Sequence, residues 1–257
     1  MTNAQVTLVQ LDNYGPWTVT PEPRPEPDLQ ALQAELYADL SRQFGARDGY
    51  AFFARFDNMV AVTNGLDGDD LAAVQETIGN RYPVTVSLAT AAAASPAAAL
   101  ATATERLQNA GGAQEADRTE VLAGDPTGET SPDALQVAHF DVVDATDRYT
   151  DRLDAFTTYA RIERAYGALR ERLHAEHGAL TFFVGGDNAI AVCPALDRDA
   201  LADAMAAVEA TVDVELRVGV GRGAVATEAG MAAKHALESA REREVTVEGD
   251  LPARPER

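Results

Sequence analysis

Apolar and polar positions along the chain follow a pattern that runs through twice. Val6-Thr7-Leu8-Val9-Gln10-Leu11 reads as a short buried strand closed by Asp12. Pro16, Pro21, Pro23, Pro25 and Pro27 then predict an extended segment that is not helical. Asp28 is the predicted cap of a helix that carries Leu29, Leu32, Leu36, Leu40 and Phe44 on one face. A hairpin from Phe52 to Val62 follows, with Asp57 in its tip. Next come a helix from Asp69 to Ile78, the alternating strand Val84 to Leu88, and a helix started by Ser95-Pro96. The order is βαββαβ with one added helix.

From residue 134 the same order recurs. A strand Val137-Ala138-His139-Phe140 closes at Asp141, and a helix presents Leu153, Phe156, Ile162, Leu169 and Leu173. The second hairpin, Phe182 to Val192, carries Gly185-Gly186-Asp187-Asn188. A helix after Asp197, a strand Val214 to Val220, a helix Thr227 to Arg241 and an edge strand Val245 to Val247 complete it. Asp57 follows Asp12 by 45 residues and Asp187 follows Asp141 by 46, while 27 residues separate each hairpin aspartate from its next strand. Matched intervals predict an α+β chain of two tandem ferredoxin-like, palm-type βαββαβ domains arising by internal duplication. Residues 1–110 form the first domain, the Gly- and Pro-rich stretch 111–133 the linker, and 134–257 the second.

Composition changes the picture of the solvent more than that of the fold. Among 257 residues, 41 Asp and Glu stand against 21 Lys and Arg, a net charge of −20 spread evenly along the chain, and Lys234 is the only lysine. Such a surface suits concentrated salt, where charges are screened within about 3 Å at molar strength. No basic stripe is present for a nucleic-acid duplex. The absence of a long apolar run or an export signal predicts a soluble, cytoplasmic chain with no membrane partner. Cys193, the sole cysteine, is expected to be a buried and inert thiol. His174 and His177 fit the charged last turn of a helix, and a thiolate zinc site is excluded.

The candidate chemistry lies in the aspartates. In a split βαβ sheet the first and third strands pair antiparallel in the centre, so Asp12 should face Asp57 and Asp141 should face Asp187. Carboxylates that close repel unless a cation lies between them, and hard oxygen ligands suit magnesium bridging to a triphosphate. An aspartate often merely ends a strand or forms a turn, but four in two matched frames favour the metal reading. Gly185 and Gly186 would admit a polyphosphate to the main-chain amides. Arg55-Phe56 takes their place in the first half, and Arg55 is either a phosphate clamp or a partner for surface acid.

Leu11-Asp12-Asn13-Tyr14-Gly15-Pro16-Trp17-Thr18-Val19-Thr20-Pro21, Arg55-Phe56-Asp57-Asn58, Ile78-Gly79-Asn80-Arg81-Tyr82-Pro83 and Gly185-Gly186-Asp187-Asn188 together resemble the archaeal GTP cyclohydrolase III family, also called GTP cyclohydrolase IIa. The resemblance spans essentially the whole chain. It implies a homo-oligomer that hydrolyses GTP with magnesium to 2-amino-5-formylamino-6-(5-phosphoribosylamino)pyrimidin-4(3H)-one, releasing two phosphates on the way to riboflavin and deazaflavin cofactors. It also implies potassium as an activating monovalent cation. On that reading Asp12, Asp57, Asp141 and Asp187 hold metal and are catalytic. Asn13, Asn58 and Asn188 then bind the guanine edge or ribose or else form turns, and Arg81 supplies a cation over the nucleotide or else enters a tight turn. Two rival readings use the same residues: a nucleotidyl cyclase of diguanylate or class III type, against which Asn188 stands where the diguanylate motif has glutamate, and a degenerate nucleotide-binding palm pair.

Overall fold

The computed structural model of the chain describes residues 3–55 and 57–252. Two five-stranded sheets carry seven α-helices among these residues. The first half runs β1 (Ala4–Leu11), α1 (Tyr14–Val19), α2 (Glu26–Gly45), β2 (Tyr50–Arg55), β3 (Asn58–Val62), α3 (Gly68–Arg81), β4 (Val86–Ala93), α4 (Pro96–Asn109) and β5 (Leu122–Ala123). The second runs β6 (Leu135–Val142), a π-helical turn (Thr146–Thr150), α5 (Ala155–His177), β7 (Leu180–Gly185), β8 (Asn188–Cys193), α6 (Arg198–Val212), β9 (Leu216–Gly223), α7 (Ala226–Glu242) and β10 (Val247–Gly249). The strand orders are β2-β3-β1-β4-β5 and β7-β8-β6-β9-β10, with β1–β3 and β6–β8 antiparallel at the centre.

Polar caps begin the helices where the pattern places them. Asp67 and Asp70 form a reciprocal capping box on α3, Ser95 accepts from the Ala98 amide at α4, and Asp197 accepts from Ala200 at α6. The proline-rich segment departs from expectation, because Tyr14 to Val19 is helical with Pro16 as its third residue. The first amides of a helix have no intrahelical acceptor, so a proline there forfeits nothing. Proline likewise leads α2 in at Pro25, and Asp28 lies inside the first turn instead of capping it.

Apolar faces are buried on both sides of each sheet. Val9, Leu11, Leu36, Leu40, Leu71 and Ile78 pack beneath α2 and α3, and Phe140, Val142, Tyr166, Leu169, Leu201 and Val218 beneath α5 and α6. A third core joins the halves: Val6, Val60 and Val62 of the first sheet meet Leu135, Val137 and Val192 of the second, with Ala99 and Ala229 among them. Phe52 and Phe182 stack across this junction at 4.5 Å and 4°. The docking is reciprocal. The Ala97 amide at the start of α4 donates to Gly178 O of the second half, and the Thr227 amide at the start of α7 donates to Asp48 O of the first, at 3.0 and 3.2 Å.

Cys193 is buried at the end of β8, where loss of water pushes its thiol up to about 12. His174 and His177 occupy the last turn of α5.

Candidate active site

Strand register sets the two aspartate pairs apart. Gln10 stands opposite Asn58 in the first sheet, whereas Asp141 stands opposite Asn188 in the second. The main chain agrees: the Leu11 amide donates to Asp57 O at 3.0 Å, and the Val142 amide donates to Asp187 O at 3.3 Å. Gln10 is therefore the counterpart of Asp141, and Asp12 the counterpart of Val143. Asp12 lies two positions further along, about 7 Å on the same sheet face. Nearly equal sequence intervals concealed this offset, because the connection to the hairpin differs in length by one residue.

In the first half, Asp12 is 4% exposed and every lone pair of its carboxylate is taken. Thr85 Oγ1 and Ser87 Oγ donate at 2.8 and 2.6 Å, the Glu120 amide at 2.9 Å and Arg118 at 3.2 Å. Arg118 is itself buried and also donates to Gln10 Oε1 at 2.7 Å. These last two donors come from the segment expected as a bare linker. Its residues 110–121 span from α4 to β5 and lie as a strap over the end of β1, where Ala113 O accepts from the Asn13 amide and Gln114 Oε1 from the Gly15 amide. Only residues 243–246 separate α7 from β10, so the second half has no such strap.

Asp57 is held by its own hairpin. Arg55 donates to both its oxygens at 3.1 and 2.6 Å, and Asn58 Nδ2 donates at 2.9 Å while its Oδ1 accepts from Gln10. Arg55 thus pairs with acid in this arrangement. Phe56, its neighbour in the motif, lies outside the described residues. Asn13 adopts a left-handed turn at φ 48°, and its buried Oδ1 has no hydrogen-bond partner. Arg81 joins neither aspartate pair. It binds Asp39 of α2 at 2.9 Å, beside Tyr82, whose hydroxyl also donates to Asp39; burial and that carboxylate push the tyrosine up to about 12.

The second pair differs at each point. Asp141 is buried, and Arg241 of α7 is its one ion-pair partner among the described residues, at 2.7 and 3.2 Å. Its Oδ1 lies 2.7 Å from Arg241 Nη2 as an ion pair, without hydrogen-bonding geometry. Desolvation first, and then the charge of Asp141, hold the Asp187 carboxyl above the ordinary aspartate range. Asn188 Nδ2 donates to Asp187 at 3.0 Å and its Oδ1 meets His139 Nε2 at 3.1 Å. Burial holds His139 below the usual histidine range, which favours the neutral ring. The Tyr166 hydroxyl donates to Asp187 O. Gly185 and Gly186 sit at φ 111° and 64°, the conformations for which glycine is suited.

An Asp187 carboxyl of raised proton affinity, the charge of Asp141 beside it and a side-chain-free turn form a place that a divalent cation would relieve. No three His, Cys, Asp or Glu side chains among the described residues form a ready-made cage. Magnesium characteristically accepts this situation, taking one or two carboxylates and completing its shell with water and substrate phosphate. Sequence reasoning missed Arg118 and Arg241. A lone arginine 100 or more positions from its partner leaves no local signature, although Arg241 on the apolar-patterned α7 was within reach of a helical-face analysis.

A family model described as GTP cyclohydrolase III matches residues 6–251. A protein named GTP cyclohydrolase III from Halorubrum lacusprofundi is 61% identical over 248 residues, covering 96% of each chain. GTP cyclohydrolase III 1 from Halobacterium salinarum is 61% identical over 96% of this chain and 98% of its own. The counterpart from Methanothermobacter thermautotrophicus is 47% identical over 92% and 94%. Among solved structures, the GGEEF domain of a diguanylate cyclase from Vibrio cholerae is similar at a TM-score of 0.38 and 10% identity, over 47% of this chain and 84% of that one.

Proposed function

The chain belongs to the GTP cyclohydrolase III family, and from that membership we propose that it hydrolyses GTP, opening the imidazole ring to the formylaminopyrimidine and releasing two phosphates. The observation that carries the site assignment is the Asp141–Asp187 pair beside Gly185-Gly186. Asp141 and Asp187 would hold magnesium there, which would supply charge neutralisation for the triphosphate and Lewis acidity for attack of water at phosphorus. The chain's own groups do the rest. Asn188 fixes the Asp187 carboxylate and Tyr166 fixes the hairpin main chain, while Gly185 and Gly186 leave the turn free of side chains for an incoming phosphate.

Asp12 and Asp57 belong to the same proposed catalytic and metal-holding set on the family match. Their present partners mean that a cation reaches them only as Arg118 and Arg55 withdraw, just as Arg241 must shift from Asp141 in the second half. Asn13, Asn58 and Arg81 remain assigned to the nucleotide on the same basis. The unpartnered Asn13 Oδ1 supports this for Asn13, whereas Arg81 is engaged by Asp39 in this arrangement.

Matching strand orders, reciprocal docking and the Phe52–Phe182 stack support two ferredoxin-like palm domains born of one duplication, with the first part of the expected linker 111–133, the strap and β5, belonging to the first domain. Among the described residues no helix is long and apolar enough to cross a membrane. A homo-oligomeric, cytoplasmic enzyme of riboflavin and deazaflavin synthesis, activated by potassium, completes the reading.

Incubation with GTP and magnesium in concentrated potassium chloride, followed by chromatography and phosphate release, tests it. The expected result is the formylaminopyrimidine monophosphate with two phosphates per turnover. A cyclic nucleotide, or GTP recovered intact, contradicts it.

A further inference from the structure

We propose that Lys234, together with Arg241, binds the polyphosphate of the substrate at the Asp141–Asp187 site, so that one face of α7 acts as a cationic rail. The inference rests on the reading of that site given above. Lys234 is the only lysine in a chain of net charge −20, and no carboxylate pairs with it among the described residues. An ammonium left unpaired amid such an excess of acid is a group with spare charge.

Its position follows from the packing of α7. His139 stands opposite Gly219 in the β6–β9 register, and a Cβ on Gly219 would lie 2.1 Å from the Leu237 amide and 2.3 Å from Ala233 O. The turn containing Lys234 therefore lies directly over the strand pair that carries His139. Arg241 follows Lys234 by seven residues, close to two full turns, so both project from one side of the helix about 10 Å apart. Arg241 fixes which side that is, because its guanidinium reaches Asp141. Lys234 accordingly projects over β6 on the side of His139. Glu238, between them, is bound to Arg241 at 2.7 Å.

A triphosphate spans several ångströms beyond its metal and brings about four negative charges to an acidic surface. Binding there requires local positive charge, and hydrogen bonds between ionised donors and phosphate are stronger than neutral ones. The first half has no matching rail. Thr104, the α4 residue at the equivalent position, donates its hydroxyl to Leu100 O at 2.7 Å, and Arg118 is sealed against Asp12.

A single lysine makes the test direct. Amine-selective acylation of the folded protein, read by peptide mass spectrometry, reports on Lys234 separately from the amino terminus. Magnesium with a non-hydrolysable GTP analogue, or with inorganic tripolyphosphate, should protect Lys234 at least about fivefold, and guanosine should not. Lys234→Met should raise KM for GTP by about tenfold or more, equivalent to ~1.4 kcal/mol, with kcat changed far less. Lys234→Arg should restore most of the loss. Unaltered acylation with the analogue bound, or an unchanged KM in Lys234→Met, overturns the proposal while leaving GTP hydrolysis intact. Protection by the analogue in a protein that does not turn over GTP would instead uphold the rail and remove the cyclohydrolase reading.

Discussion

A buried carboxylate persists as an anion when donors fill its lone pairs, and Asp12 meets that condition with four. Two of those donors arrive from more than 100 residues away, so Asp12 looked from its own surroundings like an open ligand. Asp187 was legible in a way Asp12 was not, because Gly185-Gly186 announces its turn locally. The offset of Asp12 from Asp141 also eluded the sequence. Intervals count residues along the chain, but equivalence in a sheet is set by hydrogen-bond register. Arg118→Met leaves the Asp12 charge buried without its partner, and such losses cost about 3–5 kcal/mol. Denaturant unfolding should show a destabilisation of that order, with much of it recovered in the Arg118→Met/Asp12→Asn double variant. A loss below about 1 kcal/mol would mean that the strap contributes little at Asp12.

At the scale of elements, hairpins, caps and helical faces were readable because their causes are local: Asp197 caps α6, Ser95-Pro96 opens α4, and alternating residues bury β1. α1 was misread because proline was weighed without its position in the turn. The strap was misread because glycine and proline content says nothing about what a segment lies against. The sharpest difference between the halves is a strand. β9 carries Gly219, Gly221 and Gly223 where β4 has Ala89, Ala91 and Ala93, and a Cβ on Gly221 would lie 2.2 Å from the Ala233 amide. α7 thus rests on the sheet at backbone contact, which brings Arg241 down to Asp141. Gly221→Ala must push the helix away, at a cost of about 1–3 kcal/mol or more. A lowered melting temperature together with weaker nucleotide binding is expected, and an unchanged melting temperature would show that α7 does not pack at contact distance.

Across the whole molecule, two halves of one strand order embrace through reciprocal helix N-termini while serving different ends. The first sheet closes over its aspartate with a strap of twelve residues, 110–121, and the second, which has no strap, pairs its buried Asp141 with Arg241 of α7. The acid-rich surface suits the salt-adapted setting expected from composition, and it makes the cations on α7 conspicuous. The strand order common to both halves was legible from the repeated pattern. The division of labour was not, since it depends on which distant arginine meets which carboxylate. The most direct test compares turnover of Asp187→Asn and Asp57→Asn with GTP and magnesium saturating, after both are shown to be folded. Asp187→Asn should lose at least about 100-fold in kcat, near 2.7 kcal/mol, and should lose more than Asp57→Asn does. Near-normal turnover in Asp187→Asn, with Asp57→Asn inactive, would contradict the account and move the chemistry to the first half.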